Sequence, residues 1–279
     1  MIAAVFFNES HKEAKNLARS ICQFFASRNI GTLTCEDHAS LLSIDPVSLE
    51  NAPSIQWIIS LGGDGSILNI LHRYPYLDAP ILGINTGHLG FMADVLVSDI
   101  HSSLEKLIQN DYHVYPRLML EGNDSQGNQS FAINDLVIHR SCNPSMIEIA
   151  VSVGGYYLNT FEADGLIIAT PNGSTAYSLG AGGPIISPHL EAITITPICP
   201  HTISNRPIVL TADQEIKVHY LSPLSSVEVR ADGLPFTTLK PQQFFSVQRS
   251  AKTFKLISLP HHDYFSTLRT KLGWSGKLR

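Results

Sequence analysis

Lysine is missing from two long stretches of this chain: none lies between Lys15 and Lys106, and none between Lys106 and Lys217. The glycine-rich segments taken up below all fall inside those stretches, so no Gly-x-x-x-x-Gly-Lys loop exists and a Walker-type lysine is excluded. Cysteine is scarce too. Cys22, Cys35, Cys142 and Cys199 stand singly with no Cys-x-x-Cys pair, which argues against a disulfide framework or zinc site and for a reducing, cytoplasmic compartment. No apolar run approaches the roughly 20 residues of a membrane span. Met1–Phe7 is apolar but short and lacks a basic leader, so it reads as a first strand and not a secretory signal. Basic excess is absent as well: 19 Lys+Arg against 24 Asp+Glu leave a net charge of −5. With no zinc-finger or RNA-binding signature beside it, that balance gives no reason to expect nucleic acid as a partner. What is present is a chain of 279 residues, 44% of them hydrophobic, enough for one large core or two smaller ones.

The first part of the chain alternates strand and helix patterns. Ile2–Phe7 is strand-like, Ser10–Glu13 has capping-box spacing, and Ala14, Leu17, Ala18, Ile21 and Phe25 then repeat on one helical face. Thr32–Cys35, Ile55–Leu61 and Pro80–Ile84 read as further strands, and Ser98–Asn110 as a helix with Ile100, Leu104, Leu107 and Ile108 on one side. Strands alternating with helices predict a parallel α/β sheet. After Tyr115–Pro116 the texture changes to short apolar runs between turns: 118–121, 131–139, 146–153, 165–169, 193–196, 208–211, 216–220, 227–230, 244–249 and 254–259. That pattern predicts an all-β sandwich. The expected division is an α/β domain over 1–115, joined by a helical tail within 261–279, and an all-β domain over 116–260.

The segment with the most chemistry is Leu61-Gly62-Gly63-Asp64-Gly65-Ser66, a glycine turn between a strand and a helix. Such a turn aims backbone N–H groups of a helix N-terminus at an anion. A carboxylate beside bound phosphate is unfavourable unless it holds a metal or takes a proton, and that combination suggests phosphoryl transfer. Asp64 could also simply cap the helix. Asn134-Asp135 interrupts an apolar run; two adjacent polar side chains on a strand point to opposite faces, so a ligand-facing bulge or a satisfied turn is expected there. Asp164-Gly165 leads into Thr170–Pro184, a stretch of hydroxyls and small residues around Tyr177 in which backbone can approach a ligand closely and an aromatic face can meet a base. His201–Pro207 and Asn85–Phe91 are weaker candidates: His201 or Arg206 could touch phosphate but fit structural roles at least as well, and the glycines of Asn85–Phe91 fit a second phosphate-side turn with His88 packed. His261-His262-Asp263 resembles a metal cluster only loosely, and a solvated turn is the expected reading.

Taken in order along nearly the whole chain, these segments resemble the NAD kinase family: Gly62–Gly65, Gly83–Phe91, Asn134-Asp135, Asp164-Gly165 with Thr170–Pro184, His201–Pro207, then Tyr264-Phe265 and Leu268–Trp274. The Gly-Gly-Asp-Gly element alone is shared with diacylglycerol kinases and phosphofructokinases. The resemblance implies a diacylglycerol-kinase/phosphofructokinase-like α/β domain with a parallel sheet plus an all-β sandwich, assembled as a homodimer or homotetramer. It also implies transfer of the terminal phosphoryl group of ATP, with Mg²⁺ or a similar divalent ion, to the 2′-hydroxyl of NAD's adenosine ribose. In that scheme Asp64 is the general base, with Gly63 and Gly65 beside it in the turn. Asn134 and Asp135 contact the adenosine part of NAD, Asp164 meets the nicotinamide end, and Thr175, Ala176, Tyr177, Ser178, Leu179 and Gly180 line the pocket, with Tyr177 against the adenine. Glu162, Gly180 and Leu234 depart from the family, which more often carries a cation, a Ser and a polar residue there. A related lipid or sugar kinase, or a dinucleotide sensor that binds without needing Asp64, are the alternatives.

Overall fold

A computed structural model describes residues 1–9, 13–87, 89–260 and 263–276. The chain divides into two units, Met1–Pro116 with the segment from Lys255 onward, and Arg117–Phe254. The expected capping residues Ser10–Lys12 lie outside the described residues.

The first unit is built on parallel strands. β1 (Ile2–Phe7) is followed by α1 (Ala14–Ala26), β2 (Gly31–Thr34), α2 (Glu36–Leu42), the two-residue β3 (Asp45–Pro46), β4 (Ile55–Leu61), α3 (Asp64–Arg73), β5 (Ile81–Asn85), β6 (Ala93–Leu96) and α4 (Ile100–Ile108). Hydrogen bonding orders the strands β5-β4-β1-β2-β3, with β6 paired to β5, and every one of these pairings is parallel. Ala14, Ala18, Ile21 and Phe25 of α1 and Ile100, Leu104 and Leu107 of α4 share one core with Trp57, Ile59 and Leu82. Burying a side chain the size of Ile21 or Phe25 contributes about 1.5–3 kcal/mol, which is what holds the amphipathic faces down. From β1 the chain proceeds to β2 on one side; from β4 it proceeds to β5 on the other. The loops leaving β1 and β4 therefore part company, the arrangement that opens a crevice at the carboxyl ends of parallel strands.

The second unit consists of antiparallel strands. β7 (His113–Asp124) brings the chain into it, followed by β8 (Gln129–Ala132), β9 (Asp135–His139), β10 (Ile147–Val153), β11 (Tyr156–Ala163), β12 (Gly165–Ala169), α5 (Tyr177–Gly180), β13 (Ala192–Ile198), β14 (Ile208–Thr211), β15 (Ile216–Tyr220), β16 (Val227–Ala231) and β17 (Leu234–Leu239). β18 (Phe244–Ser258) then starts in this unit and ends in the first. One sheet runs β14-β13-β12-β9-β16-β17; facing it, β11-β10-β15-β18 are joined by the β7–β8 pair. Leu136, Ile138, Leu166, Ile168 and Ile195 pack against Ile149, Val151, Val218 and Phe245. This is the sandwich. Alternate residues of the six-stranded sheet, Val137, Ile167, Ala169 and Ile198, point the other way and form a second small cluster, against which Ala181 packs. The stretch after β12 therefore lies over the outer face of this sheet.

Several expectations need correcting. The run 131–139 is two strands, because the chain leaves the ladder at Ile133-Asn134. The runs 244–249 and 254–259 are one long strand. α2, β3, β6, β11, α5 and β17 had no counterpart among the expected elements. The tail is α6 (Tyr264–Leu272), capped by the Asp263 carboxylate, which accepts from the Phe265 N–H at 3.0 Å, and ended by Gly273 at φ +64°.

Candidate active site

The Gly62–Gly65 turn sits where β4 gives way to α3. Gly62 has φ +157°, and a Cβ there would fall 2.0 Å from Ser66 Oγ, so both backbone and packing demand glycine. Gly63 is the residue before the helix, Asp64 its first residue, and Gly65 is exposed with nothing within 4 Å of where a Cβ would stand. Asp64 does not cap its own helix. Its Oδ1 accepts from the N–H groups of Met92 and Ala93, both at 2.9 Å, and its Oδ2 from the N–H of Phe91 at 2.8 Å. The approach is close enough that a Cβ on Gly90 would lie 2.1 Å from Asp64 Oδ1. Asn85 organises the same loop: its side-chain oxygen accepts from the Gly87 N–H at 2.7 Å and its amide donates to Ala93 O at 3.2 Å. Three amides thus fix the carboxylate, and Oδ2, with a single bond from them, keeps acceptor capacity for a substrate hydroxyl.

A cavity of about 270 Å³ opens beside this turn, entirely within the first unit. Asn8 and Glu9 after β1, Ser60 and Ser66 around the turn, His38 of α2 and Arg73 of α3 line it. This is the place where the β1 and β4 loops diverge, as the topology requires. The His38 ring stacks on Phe7 at 3.8 Å, and its Nε2 is 3.1 Å from Glu9 Oε1. Burial pushes the imidazole below its ordinary pKa while Glu9 opposes that shift. Among the described residues, His38 Nδ1 and Ser60 Oγ are buried without a hydrogen-bond partner. Buried polar atoms without partners are rare in finished protein interiors and are common where a ligand completes the set. Burial also pushes the Tyr74 phenol up to about 12, which keeps that wall of the cavity neutral.

The second unit brings together two segments some 35 residues apart. Thr170 Oγ1 donates to Ile133 O at 2.6 Å, the Thr170 N–H to Asn134 O at 2.8 Å, and Asn172 Nδ2 to Asn134 Oδ1 at 2.8 Å. Gly173 passes so near that a Cβ would fall 2.0 Å from Asn134 O. Asp135 stands opposite Ala169 on the outer face of the sheet, only 5% exposed. Burial, reinforced by the nearby Asp232 carboxylate, pushes its pKa up to about 7. Tyr177 is 46% exposed on α5, and burial, then Cys199, Asp135 and Asp164, raise its phenol pKa. Asp164 pairs through Oδ1 with Arg140 Nε at 2.9 Å.

Not every expected pocket residue faces outward. Ser178 is buried, its hydroxyl 3.0 Å from that of Thr196, so its side chain supports the fold and is closed to a ligand. Thr175 Oγ1 is used locally, donating to Asn172 O at 3.1 Å. Ala176 and Gly180 are exposed and Leu179 is half-buried. His88, His261 and His262 lie outside the described residues.

Known proteins resemble this chain over nearly its whole length. The family model of the ATP-NAD kinase N-terminal domain matches residues 4–112, and that of the ATP-NAD kinase C-terminal domain residues 133–259. An NAD kinase of Protochlamydia amoebophila (strain UWE25) is 52% identical over 277 residues, 99% of each chain. This chain belongs to the NAD kinase family. Its fold is also that of yeast NADH kinase crystallised with NADH, at TM-score 0.90 and 23% identity, over 100% of this chain and 89% of that one. An NAD kinase from Archaeoglobus fulgidus in complex with ATP superimposes at TM-score 0.78 with 25% identity, over 99% of this chain and 100% of that one.

The role of one residue of this NAD kinase family member escaped the sequence reading: Asp232, at the tip of the β16–β17 hairpin. Asp232 and Gly233 both have positive φ, +49° and +80°, the two-residue turn that suits a tight hairpin. The Asp232 side chain reaches the start of β9, where Oδ2 accepts from the Ile133 N–H at 2.8 Å and Oδ1 from the N–H groups of Asn134 and Asp135 at 2.7 and 3.1 Å. An Asp-Gly pair reads as a turn from sequence; nothing local announces what its carboxylate holds. The positions that depart from the family pattern are accommodated. Glu162 pairs with His201 at 3.5 Å, Gly180 has nothing within 4 Å of a would-be Cβ, and Leu234 is exposed.

Proposed function

We propose that this protein transfers the terminal phosphoryl group of ATP to the 2′-hydroxyl of the adenosine ribose of NAD, yielding NADP, and that Asp64 is the general base. The observation that supports it most is the Asp64 carboxylate, held by three amides at a glycine turn on the carboxyl ends of parallel strands. A ribose hydroxyl is a poor nucleophile, and its proton must leave as the new P–O bond forms; a positioned carboxylate typically contributes ~10²–10⁴-fold. The rest of the barrier falls to placement and charge neutralisation of the phosphates. The cavity beside the turn suits the nucleoside part of ATP, being slightly below the roughly 300–1,000 Å³ of small-molecule pockets.

Among the described residues no group of three or more His, Cys, Asp or Glu side chains could hold a metal ion. That donor set fits a Mg²⁺ that arrives on ATP, bound by phosphate oxygens and water and not by a protein cage. When bound, the ion neutralises phosphate charge that no lysine of the turn can meet. Asn134 and Asp135 take the adenosine part of NAD, Asp164 the nicotinamide end, and the Thr175–Gly180 segment, through Tyr177 and backbone, the wall of the pocket. A cytoplasmic homodimer or homotetramer completes the proposal. No helix among the described residues is long and apolar enough to cross a membrane, and all four cysteines are unpaired.

Incubating purified protein with ATP, Mg²⁺ and NAD tests the reading directly. NADP should form, and Asp64→Asn should lower turnover at least ~100-fold while NAD still binds. Tight NAD binding by the wild type without any NADP would make it a sensor. Turnover of Asp64→Asn within a few-fold of wild type would remove Asp64 from the mechanism.

A further inference from the structure

Among the described residues, Asp135 is the buried acid whose carboxyl accepts no hydrogen bond, whereas buried Asp124 accepts several. Asp135 is 5% exposed, and among the described residues no donor reaches its carboxylate oxygens, although its backbone N–H and C=O are both engaged with Asp232. The neighbouring acid differs completely: Asp232 receives three amides. A buried carboxyl with no donors favours its neutral form, and a donor arriving from a ligand reverses that preference.

The nearest charge pushes the same way. Asp232 acts on it from the β16–β17 turn, while the Tyr177 phenol near it on α5 is itself pushed up and stays neutral. β12 (Gly165–Ala169) and β8 (Gln129–Ala132) carry no ionisable side chain. Arg230 of β16 is tied to Glu228 at 2.9 Å. No cation among the described residues offsets the charge.

We propose that dinucleotide binding by this protein is coupled to release of a proton from Asp135, a sugar hydroxyl of the ligand donating to the carboxyl and leaving it as the anion. The carboxyl O–H bond breaks and its proton passes to solvent, while the ligand's hydroxyl keeps its own proton and shares it in the new hydrogen bond. The proposal rests on the reading that Asn134-Asp135 faces the adenosine part of NAD. Burial holds the unliganded acid at about 7, so the linkage falls near neutrality.

The test is calorimetric titration of the whole protein with NAD at about pH 6.5, in two buffers of different ionisation enthalpy. A heat that depends on the buffer, corresponding to a large fraction of one proton released per NAD, is expected, and it should vanish in Asp135→Asn. Affinity of the wild type should also rise with pH, by up to about tenfold per unit, and level off above neutrality. That pH series on the wild type decides the matter even if the variant fails to fold. Binding with buffer-independent heat and flat affinity, or a proton release that persists in Asp135→Asn, would overturn the linkage while leaving the dinucleotide site standing. No NAD binding at all would instead overturn the site.

Discussion

A carboxyl at 5% exposure is expensive to ionise, and Asp135 shows the consequence in its raised pKa. The folded value, about 7, lies above the ordinary 3.8, so the folded chain binds the proton more tightly than the unfolded one. The associated stability is fully present below the ordinary value and is lost as pH rises through about 7. Asp135→Asn removes the titration. Its stability relative to wild type should therefore climb from below about pH 4 to mildly alkaline pH, by up to about 4 kcal/mol over that whole range for a shift of this size. Urea unfolding of both proteins across that range checks it; a difference that stays constant would contradict the burial argument. At this scale the sequence was informative about identity and poor about orientation. Asp64, Asn134 and Asp135 stand out in the sequence as candidates because glycine or polarity interrupts an apolar pattern. Ser178 was misread because helix phase, which no hydroxyl reveals, turns it inward. Asp232 acts on residues 97 to 99 positions away, a relation that only the folded sheet creates.

Among the elements, strongly patterned ones were legible and weakly buried ones were not. α1 and α4 carry apolar faces of the right period and pack as expected. β11 and β17 are the terminal strands of their sheets, and their mixed exposure leaves little alternation to read. β18 looked like two strands because Arg249–Thr253 is mostly polar within one continuous extended segment. α2 is a seven-residue helix with one buried side chain, too short to establish a period. The joint between β9 and the segment after β12 gives the prediction at this scale. Gly173→Ala would drive a Cβ against the Asn134 backbone, which cannot swing aside as a side chain can. It should cost about 1–3 kcal/mol of stability and weaken NAD binding. Gly180→Ser, with open space around it, should leave stability within about 0.5 kcal/mol of wild type. Denaturant titrations and NAD binding curves for the pair would show whether close approach, and not glycine as such, is what matters at Gly173.

Across the whole molecule, the change in texture near Tyr115–Pro116 marks a real change of architecture, from parallel strands with helices to an antiparallel sandwich. Each unit has its own apolar core. The chain joins them without any disulfide: Cys22 and Cys35 are buried, with burial pushing both thiols up, while Cys142 and Cys199 are exposed. Native protein should accordingly offer two rapidly reacting thiols and denatured protein four, and reducing agent should leave the melting temperature unchanged. Rapid modification of all four without denaturant would mean that the first unit opens readily.

The Asp232 hairpin has a practical bearing on redesign. Loop tips are where insertions and grafted sequences are usually tolerated, yet here one residue of a two-residue tip, Asp232, anchors the start of another strand through its side chain. Anyone altering dinucleotide preference by library mutagenesis should keep Asp232 and the length of its turn constant, because an extra residue there would unseat the Ile133–Asp135 backbone, far from it in sequence.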